Sequence, residues 1–445
     1  MRVAILGFGR EGKSLLKFLK KSPQFRGAEI TILDSNPKIK IPSHRSHFKI
    51  SHRFGKNYLK NLSRFDIIFR SPGVPFTLPE FQKDKKAGVE ISSATKLFFE
   101  QLRGLTWKST QKLPIIIGIT GTKGKGTTST LLAQILKRTG RKVILAGNIG
   151  KPMLDILPDI KKADYVILEL SSFQLQDLPY SPHIAVVLDV FPDHLDQHKT
   201  LLEYYGSKAN IGRFQKKSDA IFYFANNPRS KKIAFKSPAR KIPVTPKENT
   251  LKKNYEMAAT VARYLKCGEP VIQKTIENFK GLEHRLELVR TIKKHSNILQ
   301  NVGISFYNDS AATNPNATAF AIRSFKNPII LIAGGKSKVP DYTPIAQAIK
   351  KSKLVKAVVL FGENKNEIKR ALTRIKNYEL RIMLVNNLKS AVKLAYEIAE
   401  NLITQSLNNS ITILLSPASA SFDMFKNYAD RGRKFKALVK SLKNP

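Results

Sequence analysis

Twice in its N-terminal third this chain runs from a short apolar stretch into a glycine-rich turn and then into a helical run. The first passage is Val3–Leu6, then Gly7-Phe8-Gly9-Arg10-Glu11-Gly12, then Ser14–Lys20. The second is Ile115–Ile119, then Thr120-Gly121-Thr122-Lys123-Gly124-Lys125-Gly126-Thr127-Thr128, then Ser129–Thr139. In the second helix Leu131, Leu132, Ile135 and Leu136 share one face, and Gly140 is placed to end it. A strand that breaks into such a turn points backbone N–H groups and the positive end of the helix dipole at an anion. That arrangement belongs to parallel sheets with helices packed on their faces, so it confines the chain to the α/β class.

The rest of the chain repeats the alternation. Glu29–Leu33, Asp66–Phe69, Lys142–Leu145, Tyr165–Glu169 and Ala185–Leu188 read as further strands, followed by Ile329–Ile332, Ala357–Phe361, Arg381–Val385 and Ile411–Leu415. Helix-length segments lie between them, which predicts doubly wound parallel sheets. The 445 residues are enough for several cores. Polar, poorly periodic residues at Gly104–Leu113 and the stretch Gly281–Gln300 divide the chain into 1–110, 111–285 and 286–445. Lys231–Thr250, rich in lysine and proline, reads as an irregular excursion of the middle domain.

The two glycine loops point to different chemistry. Gly7–Gly12 is a complete G-x-G-x-x-G, and Asp34 ends the next strand about 20 residues on, where a ribose-binding acid sits in dinucleotide sites. NAD and UDP are both diphosphates carrying a ribose, so the motif marks a nucleotide site without choosing the nucleotide. In the second loop Lys125 is placed to neutralise β- and γ-phosphates, and Thr127 or Thr128 to offer a hydroxyl to magnesium. The spacing misses a Walker A by one place, with glycine at 118 rather than 119. Glu169, at a strand's C-terminal end, and Asp193, His194, Asp196 and His198 are candidate metal ligands.

The formal net charge of +44 raises nucleic-acid binding as a possibility. The lysines are scattered, no nucleic-acid module is present, and a generally basic surface accounts for them. We therefore expect no specific nucleic-acid partner. No apolar run approaches the ~20 residues that span a bilayer, so no membrane insertion is expected. One cysteine, Cys267, excludes an internal disulfide and fits a cytoplasmic protein.

The ordered tracts Gly118–Thr128, Gly147–Gly150, Leu168–Leu175, Asp193–Asp196, Tyr205–Lys208, Glu283–Glu287, Asn308–Asn314 and Leu415–Gly432, with Ser71–Pro75, resemble the Mur ligase family over nearly the whole chain. The Glu-Leu-Ser-Ser-Phe-Gln run and the final serine-rich run resemble its D-glutamate-adding branch. The resemblance implies three domains: a Rossmann-like N-terminal domain, a P-loop-type central ATPase domain and a Rossmann-like C-terminal domain. It implies a monomeric ligase that uses ATP and Mg2+ to join D-glutamate to UDP-N-acetylmuramoyl-L-alanine through an acyl phosphate.

Carried over residue by residue, the resemblance places Gly9, Arg10, Asp34, Ser35, Ser71 and Gly73 at the UDP moiety, and Asn148, Ser171 and Gln174 at the muramoyl part. It places Gly121–Thr128, Asn254, Arg285 and Asp309 at ATP. Thr127, Glu169, His194 and Lys208 would hold metal, Lys208 as a carbamate. Lys125, His194 and Lys208 would be catalytic, and Thr313, Lys338, Ser421 and Tyr428 would meet the incoming amino acid. Gly126, where a hydroxyl residue is usual, and Ala311, where some members carry lysine, depart from the pattern.

Overall fold

The computed structural model describes the whole chain except residues 40, 42–47, 82–87, 109–112, 193–197, 247–251, 294–301, 338–340, 376–378, 406–409 and 443–445. Three sheets organise it. In the first, β1 (Arg2–Leu6), β2 (Glu29–Asp34), β3 (Ile50–Phe54), β4 (Ile67–Arg70) and β5 (Glu90–Ser92) pair in the order β3-β2-β1-β4-β5. All the pairings are parallel.

The second sheet holds β6 (Ile115–Thr120), β7 (Val143–Gly147), β8 (Tyr165–Glu169), β9 (Ile184–Val187), β10 (Ala220–Phe224) and β11 (Arg240–Val244), ordered β11-β10-β9-β6-β8-β7 and all parallel. The third holds β12 (Glu287–Lys293), β13 (Gly303–Asn308), β14 (Ile329–Gly334), β15 (Val355–Phe361), β16 (Arg381–Leu384) and β17 (Ile411–Leu415), ordered β12-β13-β17-β14-β15-β16. Only its edge strand β12 runs antiparallel.

The strands form where the sequence is apolar on both faces. Val3–Leu6, Val166–Leu168 and Ile329–Ala333 are fully buried, because helices cover both sides of each sheet. In each sheet the chain reverses its winding beside a central strand: between β1 and β4, between β6 and β9, and between β14 and β17. Loops leaving the C-terminal ends of those strands diverge and open a crevice. Both glycine loops sit at such ends.

Contacts divide the chain into two compact units, Met1–Phe279 and Lys280–Pro445. The first two sheets therefore belong to one unit, and named side chains pin them together. Arg10 donates to the carbonyls of Gly147, Asn148 and Gly150. Buried Arg70 donates to Val74 O at 2.7 Å and to Phe173 O at 3.0 Å, and pairs with Asp177 at 3.4 Å. Ser14 donates to Asp155.

Two local expectations need correction. Residues 231–250 are not simply irregular: the helix Pro228–Ala234 and strand β11 occupy much of the stretch. The polar segment beginning at Gly104 continues the helix Ala94–Lys108.

Candidate functional site

A cavity of about 480 Å³ opens at the crevice of the first sheet, a volume suited to a small-molecule ligand. Its lining includes Gly9, Arg10, Asp34, Ser35, Ser71, Gly73 and Asn148, so seven of the nine residues expected at the UDP-linked substrate meet there. Gly7 has a φ of +89°, and a Cβ on it would stand 2.8 Å from that of Ser71. A Cβ on Gly12 would stand 2.3 Å from the carbonyl oxygen of Gly7. The loop therefore requires glycine where it turns and where the helix Arg10–Leu19 closes on it.

Asp34 does structural work as well. One carboxylate oxygen accepts the Phe8 N–H at 2.7 Å and the other the Asn36 N–H at 2.8 Å, tying two turns of the cavity wall together. Ser171 and Gln174 are not among the lining residues but connect to it. Ser171 caps a short helix in a reciprocal capping box with Gln174. The Gln174 amide then donates to Glu11, a lining residue, at 2.6 Å. Burial raises the Glu11 carboxyl above its ordinary range, opposed by the Gln174 hydrogen bond and by Arg10 and Arg70. Nothing in the sequence separated Glu11 from an exposed helix residue; its burial does.

The phosphate loop lies at the C-terminal end of β6. The helix Lys125–Arg138 follows, with Gly124 at its N-terminus at φ +85°. A Cβ on Gly124 would stand 2.2 Å from Asn254 Oδ1, so the loop and the Asn254 side chain are packed face to face. The Thr122 N–H donates to Asp189 O at 2.7 Å, and the Thr122 and Tyr204 hydroxyls are 2.8 Å apart. Lys125 Nζ curls onto its own loop, donating to Gly121 O at 2.9 Å and Thr122 O at 3.2 Å.

Lys208 Nζ reaches the same Gly121 carbonyl at 3.0 Å. Lys208 is only 2% exposed and lies over the Tyr204 ring, 4.8 Å from its centroid. Two sequence-distant lysines thus converge beneath one loop. Lys123, Gly126, Thr127 and Thr128 complete the loop; Thr128 is buried with its hydroxyl toward Asn254 O, and Thr127 is half-buried.

Glu169 ends β8 and is 2% exposed. One carboxylate oxygen accepts the Asn148 amide at 2.7 Å. The other is buried and has no hydrogen-bond partner among the described residues. A buried, unsatisfied carboxylate oxygen costs free energy unless a cation or donor meets it. That oxygen fits a magnesium ligand, and Thr127 supplies the kind of hydroxyl oxygen such an ion takes. Lys208 as an ammonium donates and cannot ligate, so only as a carbamate would it join this set. His194 lies outside the described residues, with Asp193 and Asp196. His198 is buried, stacked 5.0 Å from Phe173, with Nε2 3.1 Å from Ser172 Oγ.

In the second unit, Asp309 follows β13. Ser416 donates to one of its oxygens at 2.8 Å and the Leu286 N–H to the other at 3.3 Å. Burial pushes its carboxyl up to about 7, against the pull of these bonds and of Arg285, which is exposed. Thr313 is half-buried, Ser421 buried and Tyr428 exposed. Lys338 lies outside the described residues.

Arg431 organises this region. Its guanidinium is fully buried and donates to Ser310 Oγ and to the carbonyls of Ser310, Ser419 and Ala420. Ser310 Oγ in turn donates to Tyr428 O at 2.7 Å. One cation therefore fixes the loops that carry Asp309, Ser421 and Tyr428. The sequence could not single it out among 77 Lys and Arg residues. Glu283, His284 and Glu287 also cluster, but Lys436 already pairs with both glutamates, at 3.0 and 2.5 Å, and fills the place of a metal.

Parallel sheets with a phosphate loop at one crevice and a ligand-sized cavity on a G-x-G-x-x-G loop at another define a nucleotide-handling α/β protein. Comparison with known proteins narrows the class. Residues 1–93 match the Mur ligase MurD-like N-terminal domain, 119–290 the Mur ligase middle domain, and 284–405 the Mur ligase glutamate ligase domain. The UDP-N-acetylmuramoylalanine–D-glutamate ligase of Acetivibrio thermocellus is 36% identical, covering 99% of this chain and 96% of that protein. Its counterpart in Clostridium botulinum is 32% identical, covering 99% and 97%.

Among solved structures, the UDP-N-acetylmuramate–alanine ligase of Thermotoga maritima superposes with a TM-score of 0.53 at 16% identity, over all of both chains. The MurF ligase of the same organism, in complex with ADP, gives 0.55 at 15%, covering 99% of this chain and 95% of that one. The chain belongs to the Mur ligase family.

Proposed function

We propose that this protein is an ATP-dependent ligase that joins D-glutamate to the free carboxylate of UDP-N-acetylmuramoyl-L-alanine, as a cytoplasmic monomer with domains at 1–110, 111–285 and 286–445. The observation that carries the reading is one compact unit holding both a ligand-sized cavity on the Gly7–Gly12 loop and a lysine-bearing phosphate loop. The full-length identity to relatives named for this reaction supports it.

In this reading the UDP-linked substrate lies on the Gly7–Gly12 loop, with Arg10, Ser71 and Asn148 around it. The carboxylate of its alanyl group attacks the γ-phosphorus of ATP, the bond to the β-phosphate oxygen breaks, and ADP leaves with that oxygen's electrons. The acyl phosphate is then attacked by the amine of D-glutamate, which loses a proton as the amide forms and inorganic phosphate leaves. Lys125 unfolds from its own loop and follows the developing negative charge. Glu169, Thr127, His194 and carbamylated Lys208 would hold magnesium, which when bound neutralises phosphate charge. The resemblance assigns Asp309 to the ATP ribose and Arg285 to the γ-phosphate. Thr313, Lys338, Ser421 and the Tyr428 neighbourhood take the carboxylates of D-glutamate.

The test is phosphate release from ATP with magnesium, bicarbonate and UDP-N-acetylmuramoyl-L-alanine, comparing D-glutamate, L-glutamate and no amino acid. D-glutamate-dependent release, with a product heavier by one glutamyl unit, is expected. Release with a different amino acid would retain the ligase chemistry and move the substrate. No release with any combination would refute the proposal.

A further inference from the structure

A run of almost entirely positive charge lies at the β11 edge of the second sheet, between the helix that carries Lys208 and the helix that carries Asn254. Between residues 213 and 241 stand nine cations: Arg213, Lys216, Lys217, Arg229, Lys231, Lys232, Lys236, Arg240 and Lys241. The same stretch has one acid, Asp219. Eight of the nine are exposed and Lys241 is half-buried. None forms an ion pair with another described residue, whereas lysines elsewhere, such as Lys49, Lys96 and Lys436, do. Asp219 is engaged in its own turn, accepting the Lys216 N–H at 2.6 Å.

The fold brings the segments that carry these residues together at this edge. The helices Leu201–Arg213 and Pro228–Ala234 pack together, with Arg229 over the Tyr205 ring at 4.8 Å. Ser237 donates to Gln215 at 2.8 Å, which brings the loop after the second helix against the turn after the first. The Arg240 N–H bonds to Asp219 O and starts β11 beside that turn.

The exposed residues between the cations are mostly apolar, with Ser218 and Asn226 the polar ones. Phe214 is 45% exposed and Phe235 58%, each next to or near a basic residue on a turn. Pro228, Pro238 and Pro243 are exposed too. Pro243 lies on the outer strand and lacks an N–H, so β11 is poorly suited to adding another strand. Contact through side chains is what this edge offers.

We propose that this edge is a peripheral docking surface for anionic phospholipid bilayers. Phosphate headgroups supply the missing counter-charge, and Phe214 and Phe235 enter the headgroup boundary. Cations interleaved with exposed aromatics are the composition that holds a protein on such an interface without spanning it. A nucleic acid would meet the charge equally well. Exposed prolines and few neutral hydrogen-bonding side chains favour the lipid, because they offer nothing to read a base edge and much to rest on a headgroup layer.

The experiment is co-sedimentation of the full-length protein with phosphatidylcholine vesicles, with and without phosphatidylglycerol. Variants are Lys231→Glu/Lys232→Glu, Phe214→Ser/Phe235→Ser, and a matched control, Lys350→Glu/Lys351→Glu, on a helix of the second unit. Ligase turnover and circular dichroism confirm that each variant is folded. Binding only to phosphatidylglycerol vesicles is expected, lowered about tenfold or more by the first charge reversal. It should fall several-fold in the phenylalanine variant and be nearly unchanged in the control. Equal loss in the control, no effect of the phenylalanines, or no preference for anionic vesicles would overturn the proposal. Tighter, equally variant-sensitive binding to duplex DNA would overturn it in favour of a nucleic-acid surface.

Discussion

Replacing Arg431 by lysine keeps the charge and removes the fork, and the structure gives the cost. The guanidinium makes five hydrogen bonds to four acceptors: Ser310 Oγ, Ser310 O, Ser419 O and Ala420 O. A lysine ammonium has three protons on one atom, so at least two bonds are lost and at least one acceptor is left dry. At roughly 1–2 kcal/mol for each lost bond to a charged donor, the variant loses about 2–4 kcal/mol. For a unit of this size that lowers the thermal midpoint by roughly 5–15 °C. Burial already holds Arg431 down, to about 10, so the ammonium gains nothing by replacing it. Scanning calorimetry should show the transition of the second unit move while that of the first stays. Steady-state kinetics should show the KM for D-glutamate rise more than that for the UDP-linked substrate. A midpoint within about 2 °C of the parent would refute the claim that Arg431 organises these loops.

Three further substitutions have signs fixed by the structure. The folded chain keeps a proton on Asp309 that the unfolded chain gives up, so this carboxyl's contribution is present below the unfolded value and is lost as pH rises through about 7. Relative to Asp309→Asn, the parent's midpoint should fall across that window, and its KM for ATP should rise as pH drops below about 7 because a protonated acid accepts poorly; parallel curves would refute this. Glu11→Gln removes a carboxyl raised by burial while keeping an oxygen for Gln174, so it should stabilise the first unit, more at alkaline than at acid pH, in urea melts. Gly124→Ala forces a left-handed alanine, costing about 1–2 kcal/mol, and drives a methyl into Asn254; calorimetric titration should show ADP affinity fall at least tenfold.

What was legible in the sequence follows from burial. Central strands such as β1, β6, β8 and β17 are apolar on both faces and stand out within a residue or two of their observed ends. Four of the strands absent from the reading, β3, β5, β11 and β12, are sheet edges. One face or one flank of an edge meets water, so Ile50–Phe54 carries His52 and Arg53, and Arg240–Val244 carries a proline. β10 and β13 are interior, and their Phe and Tyr residues were a usable signal. In the first unit, motif spacing found the glycine loops because backbone conformation demands particular residues there. It could not find Arg70, Arg431 or Glu11, whose roles come from burial among partners distant in sequence. Lys208 entered through resemblance alone.

The phosphate loop shows why its lysines belong to function and not to stability. Lys125 and Lys208 bond to one carbonyl oxygen at 2.9 and 3.0 Å, so their nitrogens lie within about 6 Å of each other, the sum of those two lengths. Two ammonium charges at that distance repel by about 3 kcal/mol at an effective dielectric constant near 20. In the nucleotide-free, uncarbamylated protein the Gly121 carbonyl and the other groups around the two lysines offset part of this, and a phosphate group would reverse it. Lys125→Ala should therefore abolish turnover without lowering the thermal midpoint of the nucleotide-free protein. ADP or inorganic phosphate should raise the parent's midpoint and leave the variant's nearly unchanged. If instead the variant melts well below the parent with no ligand present, Lys125 is a structural tie for the loop, and the charge argument for this site is wrong.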